Sequence, residues 1–113
     1  MANFFQQKTN PAPLGFVRPT AGTPKALSSN FTDLTGVAFM SVMIQSNPGG
    51  GNVYILSNST AADKTNGTNV IAIIAGGQSL PIQGLALGGV TPSQIYVDVD
   101  TTGDYAIPSV QSA

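Results

Sequence analysis

Few side chains in this sequence could do acid–base or nucleophilic work, and the missing types narrow the chemistry sharply. The chain has no His, no Cys and no Trp, and no Glu occurs anywhere along it. Its titrating groups are five Asp, four Lys or Arg and three Tyr. A Ser-His-Asp triad or a Cys-His pair therefore cannot be assembled within one chain. A Ser-Lys dyad would need Lys8, Lys25 or Lys64 buried beside a serine. The first two lie in a proline-rich leader and the third in a polar loop. No catalytic residue is assigned, and the expectation is that the protein is not an enzyme.

Three of the five acidic residues form the one cluster, Asp98-Val99-Asp100-Thr101-Thr102-Gly103-Asp104. Asp98 and Asp100 stand two apart on a predicted strand and so point to the same side, about 7 Å apart. A calcium loop would continue with a third oxygen donor, here Thr102, and a bidentate Glu six residues beyond the glycine, where Ser109 stands. The match is partial, and neighbours on one strand do not face each other across a cleft as a glycosidase pair must. The plainer reading is a solvated strand face ending in a turn, with no metal and no cofactor. Tyr54, Tyr96, Asp98 and Asp100 are carried forward as an exposed contact face. Tyrosine is also common at half-buried sheet positions, where it needs no partner. Gly49-Gly50-Gly51 and Gly76-Gly77 lack the helix start and the Lys-Ser/Thr pair of a phosphate cradle and read as turns. The sequons at Asn30, Asn58 and Asn66 reflect abundant Asn and Thr in a chain with no signal peptide at its start.

The elements that must position these residues follow from composition and periodicity. At 113 residues one core is expected. Hydrophobic residues make up 42% of the chain and charged ones only 8%, against roughly 25% charged in typical soluble domains. Two explanations fit: a surface covered in use, or one made polar by Asn, Gln, Ser and Thr. A net charge of −1 with scattered Lys8, Arg18, Lys25 and Lys64 gives no footprint for nucleic acid. Residues 1–7 lack the basic flank and apolar run of a signal peptide, and no stretch of about 18 apolar residues occurs. The protein is expected to be made in the cytoplasm and to engage no membrane.

Residues 1–35, with Pro11, Pro13, Pro19 and Pro24, read as an extended N-terminal arm stiffened by proline. Phe4, Phe5, Leu14, Phe16, Val17, Leu27 and Phe31 make it too apolar for a freely solvated tail. It is expected to lie on a neighbouring subunit or on the sheet of its own domain, the bland alternative being a disordered leader. Residues 36–113 read as a succession of short strands. Residues 36–46 place Ala38, Met40, Val42 and Ile44 on one face, and residues 52–58 place Val53 and Ile55 inward. A polar loop, 59–68, contains the turn Asn66-Gly67. Residues 69–75 are apolar at nearly every position, as in a strand covered on both faces. In residues 78–83, Pro81 marks a sheet edge. Residues 93–101 alternate Ile95, Val97 and Val99 against Tyr96, Asp98 and Asp100, and a last strand occupies 105–110. The fold class is all-β: a single small β-sandwich or jelly-roll-like domain preceded by the arm.

An Asn-Pro-Gly turn is followed by Gly51-Asn52-Val53-Tyr54-Ile55, then by Ala75-Gly76-Gly77-Gln78-Ser79-Leu80-Pro81-Ile82, and then by Ile95-Tyr96-Val97-Asp98 and Thr102-Gly103-Asp104. The order of these motifs resembles that of small β-sandwich virion proteins of tailed bacteriophages, which include capsid decoration or cement proteins and related fibre-base modules. The resemblance implies a homo-oligomer, often a trimer, that clips the phage major capsid protein together on the outer head surface of the virion. The arm residues named above would then be capsid or oligomer contacts. A receptor- or glycan-binding module of a tail or fibre is the alternative.

Overall fold

The structure is a computed structural model that describes residues 12–83 and 89–111. Those residues form two four-stranded sheets in which every pairing is antiparallel. The eight strands are β1 (Ala12–Pro13), β2 (Lys25–Ala26), β3 (Ser41–Ser46), β4 (Val53–Leu56), β5 (Val70–Ile74), β6 (Ser79–Gln83), β7 (Tyr96–Val99) and β8 (Ala106–Gln111). The first sheet has the order β1-β8-β3-β6 and the second β2-β7-β4-β5. The all-β sandwich expected from the alternating pattern is the architecture observed.

One core lies between the sheets. Val42 and Ile44 from β3 and Ala106 and Val110 from β8 meet Val53 and Ile55 from β4 and Val97 and Val99 from β7, all at most 2% exposed. Burying each Val or Ile side chain stabilises the fold by roughly 1.5–3 kcal/mol, and strand alternation delivers these residues to one side without polar neighbours.

Residues 12–35 lie on the sheets of their own domain, one of the two placements expected for this segment, and give Leu14, Val17 and Leu27 to its core. Leu14, Val17 and Leu27 are at most 1% exposed, so they are unavailable to a capsid or a neighbouring subunit. The reason is backbone pairing. Leu14 N–H donates to the Pro108 carbonyl (2.9 Å), Val17 and Ala106 exchange two bonds, and Leu27 N–H donates to the Ile95 carbonyl (2.9 Å). The segment thereby lays one short strand on each sheet, with its apolar side chains directed between them. Phe31 packs half-buried against the same core, and Phe16 is exposed. Phe4 and Phe5 lie outside the described residues.

Two strand readings change. A bend at Met40 reverses the alternation, so that Phe39, Val42 and Ile44 are buried while Ala38 and Met40 are exposed. The run 69–75 is not covered on both faces: β5 is the terminal strand of the second sheet, and Ile71 and Ile73 are 52% and 56% exposed. Pro81 does sit on an edge strand, β6. The glycine-rich turns 47–51 and 75–78 pack on each other: a Cβ on Gly76 would stand 2.3 Å from the Gly50 carbonyl oxygen. In the loop before β5, Gly67 takes φ +69°, as the Asn66-Gly67 turn requires.

Candidate functional site

The outer faces of the two sheets differ in chemistry. In the first sheet none of the strands, Ala12–Pro13, Ser41–Ser46, Ser79–Gln83 and Ala106–Gln111, contains an ionisable residue. Registry places Met43 beside Pro81 on one flank and Ser109 on the other, and Ser41 beside Gln83 and Gln111. These residues line a shallow depression of about 260 Å³. Met43 is 44% exposed at its centre. Alternation dictates the composition: Val42, Ile44, Leu80, Ile82, Pro108 and Val110 turn to the core side, which leaves Ser, Met, Gln and Pro outside, with Ile107 beside Gln45. Such a face can bury apolar and amide surface against a partner without desolvating any charge.

Over β4 and β7 the outer face of the second sheet is roofed by loop 57–68 and the turn at residues 20–23, and the polar residues expected to be exposed are what hold the roof down. Asp98 is 1% exposed. Its Oδ1 accepts from the Gly22 N–H (2.8 Å) and from its own successor Val99 (2.8 Å), and its Oδ2 accepts from the Ala62 N–H (3.0 Å). Tyr54 is 7% exposed, its hydroxyl donating to Asp100 Oδ2 (3.2 Å) while Lys64 Nζ lies 5.1 Å from its ring centre. Neither residue belongs to an exposed contact face. Their direction from the sheet follows the alternation; the loop above them covers it.

Asp100 is exposed and holds Lys64 at 2.6 Å. Hydrogen bonding to Lys64 lowers the Asp100 pKa from its ordinary value, and the same bond raises that of Lys64. Asp104 turns elsewhere, accepting from Asn47 Nδ2 (3.1 Å) and from the Gly51 N–H (2.9 Å). The acidic run is thus dispersed over three separate tasks. Among the described residues no group of three or more His, Cys, Asp or Glu could hold a metal ion. Tyr96 is half-buried on β7.

Sequence reasoning passed over two residues that organise the roof. Asn69, 6% exposed, donates from Nδ2 to Asn58 Oδ1 (3.0 Å) and to the carbonyls of Thr60 (3.0 Å) and Ala61 (3.1 Å), and accepts from the Asp63 N–H (2.9 Å). Asp63 accepts from the Thr65 and Asn66 N–H groups (3.2 and 3.0 Å) and from the Thr68 hydroxyl (2.7 Å). Those bonds, led by that from Asn66, lower its pKa to about 2. The signal for Asp63 was present as an Asp two and three residues before Thr65-Asn66-Gly67, the spacing of a side chain that caps its own turn.

At the far end of the first sheet Phe16 stacks on Tyr105 with ring centres 4.5 Å apart, and the Arg18 guanidinium lies 4.3 Å from the Tyr105 centre. Phe16 is 47% exposed. Comparison of the chain with protein-family models, with curated proteins and with solved structures gives no match in any of the three.

Proposed function

We propose that the protein is a structural virion protein: a capsid decoration or cement protein that binds the outer head surface of a tailed bacteriophage as a homo-oligomer and stabilises the shell. The observation that carries this reading is the uncharged outer face of the first sheet, centred on Met43 and continuous across its four strands. A face of that composition is suited to a lasting protein contact, and the phage major capsid protein is its proposed partner. A subunit bound across a seam adds its interface free energy to the closed shell, and many copies on one lattice multiply a weak contact. A receptor- or glycan-binding role has less support, because Tyr54 and Asp98 are buried and Asp100 is paired with Lys64.

The test is co-sedimentation with purified expanded phage heads, followed by their melting temperature. The native chain is expected to bind and to raise that temperature. The double variant Met43→Lys, Ser109→Lys is expected to keep its fold and to lose binding at least tenfold. Failure of the native chain to bind any expanded head, with binding to cells or sugars instead, would overturn the proposal. Truncation should be confined to residues 1–11, because removing residues 12–31 would strip Leu14, Val17 and Leu27 from the core.

A further inference from the structure

The loop that roofs the second sheet carries the chain's one Asn-Gly step, Asn66-Gly67, and both residues are exposed. An asparagine before a glycine has a reaction of its own. When the Gly67 amide nitrogen gives up its proton to solvent, it can attack the side-chain carbonyl carbon of Asn66. The new N–Cγ bond closes a five-membered succinimide as the Cγ–Nδ2 bond breaks and ammonia leaves. Water then adds to either ring carbonyl and opens the ring to Asp or to its β-linked isomer, isoaspartate. Water is the sole co-reactant, and nothing is oxidised or reduced. Glycine permits the attack because it has no side chain to block the approach. The other described asparagines precede Phe31, Pro48, Val53, Ser59 and Val70. Pro48 has no amide proton to lose, and Val53 and Val70 are branched beside the nitrogen. The side-chain amides of Asn30, Asn47, Asn58 and Asn69 are also held in hydrogen bonds.

The same turn restrains the reaction. The Gly67 N–H donates to the Asp63 carbonyl oxygen (2.8 Å), which keeps the proton on the nitrogen that must lose it. Around that bond the Asp63 carboxylate accepts from the N–H groups of Thr65 (3.2 Å) and Asn66 (3.0 Å) and from the Thr68 hydroxyl (2.7 Å). Residues on both sides of the reacting nitrogen are thus tied to one side chain. The nitrogen is freed only when the turn opens, so the rate follows the open fraction. We infer that Asn66 is the site at which this chain spontaneously deamidates, and that Asp63 is a positioning residue that sets the rate by holding the turn closed. The product acts back on the turn. Either isomer adds a negative charge beside the Asp63 cap in a chain whose net charge is already −1. Isoaspartate also inserts a methylene into the main chain between the Asn66 and Gly67 N–H groups, which Asp63 holds together. The inference does not rest on the shell-binding role.

The test incubates the native chain, Asp63→Ala and Thr68→Ala in mildly alkaline buffer and locates the amide-to-acid mass gain by tandem mass spectrometry. In the native chain the first gain is expected at Asn66, divided between Asp and isoaspartate. Asp63→Ala is expected to speed it by roughly five- to thirtyfold, the factor that losing one or two net hydrogen bonds allows. Thr68→Ala, which removes only the hydroxyl bond, should speed it by a few-fold. In urea all three chains are expected to react at one rate, because no turn is left to open. A first gain at another asparagine would overturn the site. An unchanged rate in Asp63→Ala, or a difference that persists in urea, would overturn the role of Asp63. Should Asp63→Ala speed Asn30 and Asn52 as well, the whole fold has loosened and Thr68→Ala decides: acceleration at Asn66 alone supports the inference, and no change there overturns it.

Discussion

The two sheets of this sandwich share a core and a strand count but treat their outer faces in opposite ways. On the second sheet the outward polar residues of β4 and β7 are covered by a loop that they anchor; on the first, none of the described residues covers the uncharged outer face. The chain's few ionised groups thus stabilise its own loops more than they solvate its surface. Asp98 and Asp63 are both engaged with backbone N–H groups. A protein with only 8% charged residues therefore has even less free charge outside than its composition states.

This contrast can be broken most forcefully at Asp98. Asp98→Ala leaves the N–H groups of Gly22, Ala62 and Val99 without their acceptor, and is expected to cost on the order of 3 kcal/mol in urea unfolding. The matching change on the open face, Ser109→Ala, should stay within about 0.5 kcal/mol. Equal losses at the two positions would remove the distinction between the faces. Tyr54→Phe is a smaller lesion: it deletes the bond to Asp100 at the roof's margin and should cost about 0.5–1 kcal/mol by the same measurement.

Acid sharpens the comparison with the least perturbation. The folded pKa of Asp63 is about 2, below its ordinary 3.8. Its contribution is therefore complete above pH 4 and is lost as pH falls through about 2. Amide resonances of Thr65, Asn66 and Thr68 are expected to shift and exchange faster across that window. Those of β3 and β8, on strands with no titrating group, should hold their positions while the protein remains folded.

The strands were legible because their signal is local. Val53/Ile55, Val97/Val99 and Val42/Ile44 alternate inward as the period of two demands, and Pro81 marks an edge by lacking a donor. What periodicity cannot convey is whether an outward face is covered, since that depends on a loop folding back from a distance. Asp98 and Tyr54 were assigned the correct direction and the wrong environment for this reason. The apolar run at β5 misled in the opposite sense, because Ile71 and Ile73 imply a covering that the described residues do not supply. Leu14, Val17 and Leu27 were recognised as residues seeking a surface. Their surface proved to be the partner sheets of their own domain, which only long-range pairing decides.

That pairing also constrains how the protein comes into being. β1 leaves the ribosome before every other strand of the sandwich, yet its hydrogen-bonding partner is β8, the last of them. Closure of the first sheet must await the synthesis of β8, with the loop-closure entropy of the long intervening chain to overcome. Until then Leu14 and Val17 have no pocket to enter, and the nascent polypeptide must be kept from premature aggregation by dilution or by a chaperone.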